Sequence, residues 1–213
     1  MNLNSSRRTY DRGFLEDSSL GSDPIAALRR WIAEAHDASE GAVEANAMCL
    51  ATVGADCAPS ARIVLLRGLD ERGLVFYTSY FSRKGEDLEH NNRAAATFYW
   101  PALERQVRVE GTASQLSEDD SDAYFDSRPR GHRLSAWASE QSQPLERREV
   151  LEERMQHFDE RFGAEEVPRP HSWGGYAIAP SRMEFWQGRP SRLHDRLQFE
   201  RIDRLWTLRR LQP

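Results

Sequence analysis

Three hydrogen-bond donors alternate with other residues near the carboxyl end of the chain, in the stretch SRLHDR at residues 191–196. If this stretch is extended, Arg192, His194 and Arg196 point to one face, because successive side chains of a strand alternate between faces. Such a face can bind an anion. It can equally be a solvated sheet edge, where positive charge prevents unwanted pairing with another strand. The stretch alone leaves both interpretations open.

Further donors occur in separate clusters, each at a predicted strand end or loop. The strand ARIVLLRG has an arginine at each end, Arg62 and Arg67. The stretch YTSYFSRKG joins a strand to a helix start that carries Arg83 and Lys84, where backbone N–H groups favour phosphate. The remaining donors of these clusters are Tyr77, Thr78, Gln106, Tyr124, Arg128, His132, Gln141 and Ser142. Together they indicate a small ligand with more than one phosphate, or two phosphorylated ligands.

The overall charge argues against nucleic acid as the source of those phosphates. The chain has 29 Lys and Arg against 34 Asp and Glu, a formal net charge of -5, whereas non-specific nucleic-acid binding needs a basic surface. No apolar run is long enough to span a membrane, and the first residues lack the apolar core of a signal peptide. Cys49 and Cys57 are too few for a disulfide framework. We therefore expect a soluble cytoplasmic protein.

The common catalytic and nucleotide-binding motifs are absent from the sequence. It contains no GxGxxG, GxxxxGK, GxSxG or HExxH pattern. Its six histidines are scattered, so no metal site is predicted. The carboxylates lie in runs such as SEDDSD and LERREVLEER, which are typical of solvated helix faces.

Periodicity predicts an antiparallel barrel decorated by helices. Residues 1–22 are expected to be a flexible arm, and 23–213 a single domain. The domain opens with a helix, in which Asp23 is the N-cap and Pro24 the first residue. From Ala47 the pattern changes to six or seven short strands rich in β-branched and aromatic residues and separated by turn residues. In one of these strands Val107 and Val109 are predicted to share one face.

Helix signals interrupt the strands at three later places. SRKGEDLEHNN reads as a short helix, and Ser117 with Asp120 forms a capping pattern for a segment that runs towards SRPRGHRLSAW. PLERREVLEERMQHFDERF reads as a longer helix, with Pro144 near its start and Gly163 after its end.

The clusters also occur in a characteristic order. RIVLLR, YT, SRK, RQV, YFxSRP, QS, FWQG and RLHDR follow one another, and this series resembles the pyridoxine/pyridoxamine 5′-phosphate oxidase family over nearly the whole chain. The resemblance implies a mainly β (α+β) fold, an FMN-binding split β-barrel of antiparallel strands decorated by helices. It also implies a homodimer with FMN at the subunit interface.

The resemblance assigns residues to two ligands. FMN is expected to contact Arg62, Ile63, Val64, Leu65, Leu66, Arg67, Tyr77, Thr78, Arg83, Lys84, Gln106, Trp186 and Arg196, together with Gln141 and Ser142 from the other subunit. The substrate is expected to contact Arg67, Tyr124, Arg128 and His132 through its phosphate, and Arg192, Leu193 and His194 through its pyridine ring. Arg7 and Tyr10 match a mobile arm that closes over the substrate.

The implied reaction is the oxidation step of vitamin B6 metabolism. The flavin accepts a hydride from C4′ of pyridoxine or pyridoxamine 5′-phosphate, giving pyridoxal 5′-phosphate, with ammonia released from the amine. Dioxygen reoxidises the flavin and leaves hydrogen peroxide. Arg192 and His194 are the expected catalytic residues, Arg192 guiding the substrate alcohol or amine and His194 orienting it, with a general-base role for His194 left open.

Two positions depart from the family pattern. Arg67 stands where the family often has Lys, and His132 where it often has Ser; both still donate to phosphate, Arg with a planar fork and His with a charge that depends on pH. Two other functions remain open on the sequence: a related FMN oxidase of a phenazine precursor, and a non-catalytic carrier of FMN or pyridoxal phosphate.

Overall fold

The computed structural model describes residues 9–41 and 44–213, which form one antiparallel sheet with five helices around it. The strands are β1 (Ala47–Val53), β2 (Pro59–Leu65), β3 (Gly68–Asp70), β4 (Gly73–Ser79), β5 (Arg93–Trp100), β6 (Arg105–Gln115), β7 (Trp173–Gln187), β8 (Asp195–Ile202) and β9 (Leu205–Leu211). The helices are α1 (Pro24–Ala38), α2 (Arg83–His90), α3 (Glu118–Asp126), α4 (Arg130–Ala138) and α5 (Arg148–Phe162).

Strand β7 organises the sheet. The strand order is β2-β1-β5-β6-β7-β4-β3, and β8 also pairs with β7 and carries β9 on its other edge. The amino-terminal part of β7 pairs with β4 and its carboxyl-terminal part with β8, while β6 follows it along most of its length. A register shift between Glu110 and Gly111 bends the β6–β7 pair, as a β-bulge does. The expected split barrel is confirmed; the sequence pattern predicts six or seven strands where the described residues form nine, and β3, with three residues, is too short for such a pattern.

Alternating apolar residues build the core. In β1, every second residue is buried, and in β6 the predicted common face of Val107 and Val109 is fully buried. Strands of the sheet contribute several large side chains to this core, among them Phe76, Phe98 and Phe185, all fully buried. Burial of such faces is the main favourable contribution to folding.

The predicted helix starts are confirmed by their caps. Asp23 accepts a hydrogen bond from the backbone N–H of Ile25 at 2.8 Å, and Ser117 accepts one from that of Asp120 at 3.1 Å. The segment after Ser117 is two helices, because Pro129 lacks an N–H and restricts the residue before it. The long helix starts at Arg148, several residues after Pro144. In the described parts of the chain, no helix combines the length and apolarity needed to cross a membrane.

The described part of the expected arm, residues 9–22, lies against the body without helix or strand; we call it the strap. Leu15 and Leu20 of the strap are buried. Glu104 accepts hydrogen bonds from two successive backbone N–H groups of the strap, at 2.9 and 3.0 Å. Asp195 accepts a third, at 3.0 Å. Residues 1–8 of the arm, Arg7 among them, fall outside the described residues.

We predict that Gly73→Ala lowers the free energy of unfolding by at least about 2 kcal/mol. Gly73 has a φ of 110°, and a Cβ there would overlap the carbonyl oxygen of Ile178 on the paired strand. Gly131→Ala is the matched control, because its added Cβ would have no atom within 4 Å apart from its chain neighbours and the backbone of its own helix. Urea unfolding of the three proteins measures the effect. Equal midpoints for Gly73→Ala and the wild type would contradict the close approach.

Candidate functional site

A cavity of about 750 Å³ opens between β2, β4 and the α3–α4 segment. Sixteen residues line it, and thirteen of them belong to the predicted site: Arg62, Ile63, Val64, Leu65, Arg67, Tyr77, Thr78, Lys84, Tyr124, Arg128, His132, Gln141 and Ser142. The other three are Ser127, Pro129 and Trp173. None of these lining residues, all in the described chain, is Asp or Glu. The cavity therefore presents donors without a competing carboxylate.

Lys84 lies buried beside the cavity at the start of α2. Its Nζ donates to Oγ1 of Thr78 at 3.1 Å and to Oε1 of Gln141 at 2.9 Å. Burial, together with the nearby charge of Arg62, lowers the pKa of Lys84 to about 8. The ammonium group thus has neutral partners, and an anion in the cavity would favour its charged form.

Gln141 and Ser142 line the cavity of their own chain. They were expected to come from another subunit, and the structure corrects this. After α4 the chain returns to the end of β4, where Oγ1 of Thr78 donates to Gln141 at 2.8 Å. Ser142 adopts a φ of 75° in this return.

A polar network fixes Arg62 on β2. Its Nη1 donates to Oγ1 of Thr52 at 2.6 Å, and its Nη2 donates to Oγ of Ser60 at 2.8 Å. Thr52 in turn donates to the carboxylate of Asp87 at 2.6 Å, and Asp87 lies 3.7 Å from Arg62. Burial lowers the pKa of Arg62, and the charge of Asp87 opposes that effect. The guanidinium is therefore fixed in orientation before any ligand binds.

A second arginine, Arg128, sits among aromatic rings. Its guanidinium lies 4.6 Å from the ring centre of Trp173, and its Nη1 is buried with no hydrogen-bond partner among the described residues. Tyr77 and Tyr124 stack on each other at 3.7 Å beside it. Burial lowers the pKa of Arg128, and the charge of Arg67 adds to this. A guanidinium that lines a cavity with one nitrogen buried and unpaired is suited to an anionic group.

The remaining predicted residues form a second cluster at the other end of β7. Gln106 and Arg196 are the β6 and β8 partners of Trp186. Glu184 accepts two hydrogen bonds from Arg196, both of 2.9 Å, which raise the pKa of Arg196. His194 packs 4.7 Å from Trp186. We call the set of Tyr10, Gln106, Trp186, Arg192, His194 and Arg196 the distal cluster.

The hydrogen bond of His194 fixes its tautomer. The backbone N–H of Arg189 donates to Nδ1 of His194 at 3.1 Å, so Nδ1 carries a lone pair and the proton of the neutral ring sits on Nε2. Burial lowers the pKa of His194, and the charge of Arg192 adds to this. The Tyr10 ring of the strap lies 5.7 Å from His194 and covers it. The imidazole therefore presents an Nε2–H donor.

The expected extension of SRLHDR is wrong for its first four residues. A 3-10 turn covers Pro190–Arg192, and β8 begins only at Asp195. Ser191 and Arg192 both have left-handed backbones, with φ of 57° and 65°. Leu193 is 68% exposed. Arg192 reaches its position through a strained turn, which alternation along a strand did not predict.

One chain does not bring the two sets together. Trp173 begins β7 and lines the cavity, whereas Trp186 lies near the end of the strand; thirteen residues of strand span roughly 40 Å. No member of the distal cluster is among the described residues that line the cavity. Of the other predicted residues, Leu66 is buried in the core. Arg83 is the first residue of α2 and does not line the cavity. The described residues hold no group of three or more metal-ligating side chains.

Comparison with known proteins agrees with this geometry. The family model described as pyridoxamine 5′-phosphate oxidase matches residues 35–162, and the pyridoxine 5′-phosphate oxidase C-terminal dimerisation region matches residues 173–213. The protein is thus an oxidoreductase of the split-barrel fold. The chain belongs to the pyridoxine/pyridoxamine 5′-phosphate oxidase family.

Named relatives cover almost the whole chain. The pyridoxine/pyridoxamine 5′-phosphate oxidase of Cupriavidus pinatubonensis is 55% identical over 208 residues, 97% of each chain. That of Rubrobacter xylanophilus is 55% identical over 207 residues, 97% of this chain and 94% of the relative. The crystal structure of PhzG from Burkholderia lata, in complex with tetrahydrophenazine-1-carboxylic acid, superposes with a TM-score of 0.86 at 33% identity, covering 97% of this chain and all of that one.

We predict that sulfate binds the cavity more weakly as the pH rises above about 8. Lys84 loses its proton through this range in the free protein, so its attraction for an anion is present below pH 8 and lost above it. Sulfate itself does not titrate there. Calorimetric titration from pH 7 to 10 measures the effect, and Lys84→Arg, which stays charged, should show a flatter profile. An unchanged wild-type affinity across this range would exclude Lys84 from the anion site.

Proposed function

We propose that the protein oxidises pyridoxamine 5′-phosphate and pyridoxine 5′-phosphate to pyridoxal 5′-phosphate with dioxygen as acceptor. The products also include hydrogen peroxide, and ammonia from the amine. One observation carries the assignment beyond the family: the buried, unpartnered Nη1 of Arg128 in a cavity whose described lining has no carboxylate. The phosphate group of a substrate can accept hydrogen bonds from that guanidinium. This phosphate site is separate from the anion site at Lys84.

The cofactor is FMN, and the donors at the α2 end of the cavity fit its phosphate. Lys84 and Arg62 supply positive charge there, and Thr78 supplies a hydroxyl group beside Lys84. When bound, FMN supplies a two-electron acceptor that dioxygen can reoxidise. The chain contributes binding, orientation and electrostatics to that chemistry.

The substrate phosphate binds at the aromatic end of the same cavity. Arg128 and Tyr124 lie together there, and Arg67 and His132 line the same cavity. Arg67 and His132 are the two departures from the family pattern, and both are donors that a phosphate accepts.

His194 acts as a donor that orients the substrate. Its Nδ1 already accepts the Arg189 N–H, so only Nε2 is free to face a ligand, and in the neutral ring Nε2 carries the proton. The lowered pKa favours this neutral form. Arg192, two residues away, guides the reacting alcohol or amine. Tyr10 covers His194 and excludes water from that side.

The two sets of residues meet across a homodimer. Since the cavity and the distal cluster lie at opposite ends of β7, the cavity of one chain is completed by the distal cluster of a second copy. The match of residues 173–213 to a dimerisation region supports this arrangement, because those residues carry most of the distal cluster. Gln106, Trp186 and Arg196 then contact FMN, and Arg192 and His194 the substrate.

Visible spectra of the purified protein test the function directly. We expect a flavin band that bleaches when pyridoxine 5′-phosphate is added without oxygen and returns on admission of air. A band that stays unchanged with both phosphorylated substrates would overturn the assignment. Bleaching by a dihydrophenazine carboxylic acid instead would favour the phenazine-type oxidase, and bound flavin with no reduction by either would favour a carrier.

A mixed dimer tests the shared site. Lys84→Met removes a charge beside the cavity, and Arg196→Ala removes one from the distal cluster, so each homodimer should lose most activity. Co-expression with two different affinity tags isolates the mixed dimer, in which one site has both defects and the other has none. We expect it to have about half of the wild-type activity. A mixed dimer as inactive as its parents would show that each site is built within one chain.

A further inference from the structure

Trp173 contacts residues assigned above to both ligands, although it was not among the site residues expected from the sequence. Its ring lies 5.6 Å from Tyr77 and 6.2 Å from Tyr124, nearly parallel to both. The Arg128 guanidinium lies 4.6 Å from its centre. The rings of Tyr77, Tyr124 and Trp173 thus form one stacked aromatic group, and Arg128 rests on it.

The position of Trp173 is itself fixed. The side chain is 8% exposed, and Phe125 of α3 packs edge-on against it at 5.2 Å. Arg169 donates to the carbonyl oxygen of Trp173 at 2.7 Å and to the carboxylate of Asp122 at 2.5 Å. These contacts join the start of β7 to α3, the helix that carries Tyr124 and ends just before Arg128.

Aromatic contact is what holds the Arg128 side chain. Its guanidinium lies over Trp173 and Phe125, at 4.6 and 5.5 Å, and no carboxylate of the described residues forms an ion pair with it. A carboxylate would satisfy the charge and compete with a phosphate ligand. A ring face holds the guanidinium while leaving its N–H edge free for bidentate hydrogen bonds.

We propose that Trp173 is a positioning residue for the substrate phosphate, which holds Arg128 and Tyr124 in the geometry that binds it. This inference rests on the proposed function. It predicts that loss of the ring weakens recognition of the phosphate and leaves the oxidation step largely intact.

Steady-state kinetics of the FMN-loaded enzyme test the role. We expect Trp173→Leu to raise KM for pyridoxine 5′-phosphate about tenfold and to change kcat less than about threefold. Trp173→Phe keeps a ring and should stay within about threefold of the wild-type KM. Should Trp173→Leu not fold, Trp173→Met replaces it, since Met is also large and apolar but has no ring.

Trp137 provides a matched control. It also lies beneath an arginine, with the Arg161 guanidinium 5.7 Å from its ring, and its Nε1 donates to the carbonyl oxygen of Pro168 at 2.7 Å. Trp137 does not line the cavity. Trp137→Leu should therefore leave KM at the wild-type value. An equal rise in KM for the two Leu variants would mean that loss of a tryptophan acts through general stability.

A double-mutant cycle separates positioning from structure. If Trp173 acts through Arg128, then Trp173→Leu should raise KM far less in an Arg128→Gln background than in the wild type. It should also leave the rate with unphosphorylated pyridoxine unchanged. Additive effects in the cycle, or an equal loss with the unphosphorylated substrate, would overturn the inference.

The experiments distinguish failure of the proposed function from failure of the inference about Trp173. A wild-type enzyme that does not oxidise the phosphorylated substrates would overturn the function itself. Trp173 would then be tested by calorimetric binding of inorganic phosphate to the wild type, Trp173→Leu and Trp137→Leu. Weaker binding confined to Trp173→Leu would support its role in holding Arg128, and equal binding by all three would remove that role.

Discussion

The length of β7 is the constraint on which the rest of the structure depends. A single strand of fifteen residues pairs with β4 at one end and β8 at the other, with β6 beside it. Because an extended chain is stiff and each residue adds about 3.3 Å, side chains at the two ends cannot converge on one small ligand. Trp173 and Trp186 therefore belong to different sites, or to a shared site of two copies, and the sheet that stabilises the monomer also separates its functional groups.

The cavity concentrates positive charge in a protein of net charge -5. The guanidinium of Arg62 lowers the pKa of Lys84, and that of Arg67 lowers the pKa of Arg128. This mutual repulsion is an energetic cost to the folded chain, and the core must offset it. An anionic ligand reverses the sign of these interactions, so ligand binding and the stability of the folded chain are linked.

The features of the fold that were predictable from the sequence are those set by residues close together in the chain. The alternation of Val107 and Val109 and the cap at Asp23 depend on neighbours in sequence, so pattern reasoning found them, and the order of the motifs pointed to the thirteen cavity residues. The left-handed turn at Arg192, the return of Gln141 to its own chain and the stacking of Trp173 depend on long-range packing. The WGG stretch at the start of β7 was a signal for the last of these, since small residues there allow Tyr80 and Tyr77 to pack closely.

The strap is bound through its backbone, and this distributes the sequence constraint unevenly. Glu104 and Asp195 accept backbone N–H groups of the strap, so any residue except proline can stand at those donor positions without losing a hydrogen bond. The body has less freedom: a Cβ at Gly188 would lie 2.8 Å from the ring of Tyr10. Substitutions are therefore tolerated at the strap residues that donate these hydrogen bonds and restricted at Glu104, Asp195 and Gly188 of the body. The sequence of the strap can thus vary while its attachment to the body is kept.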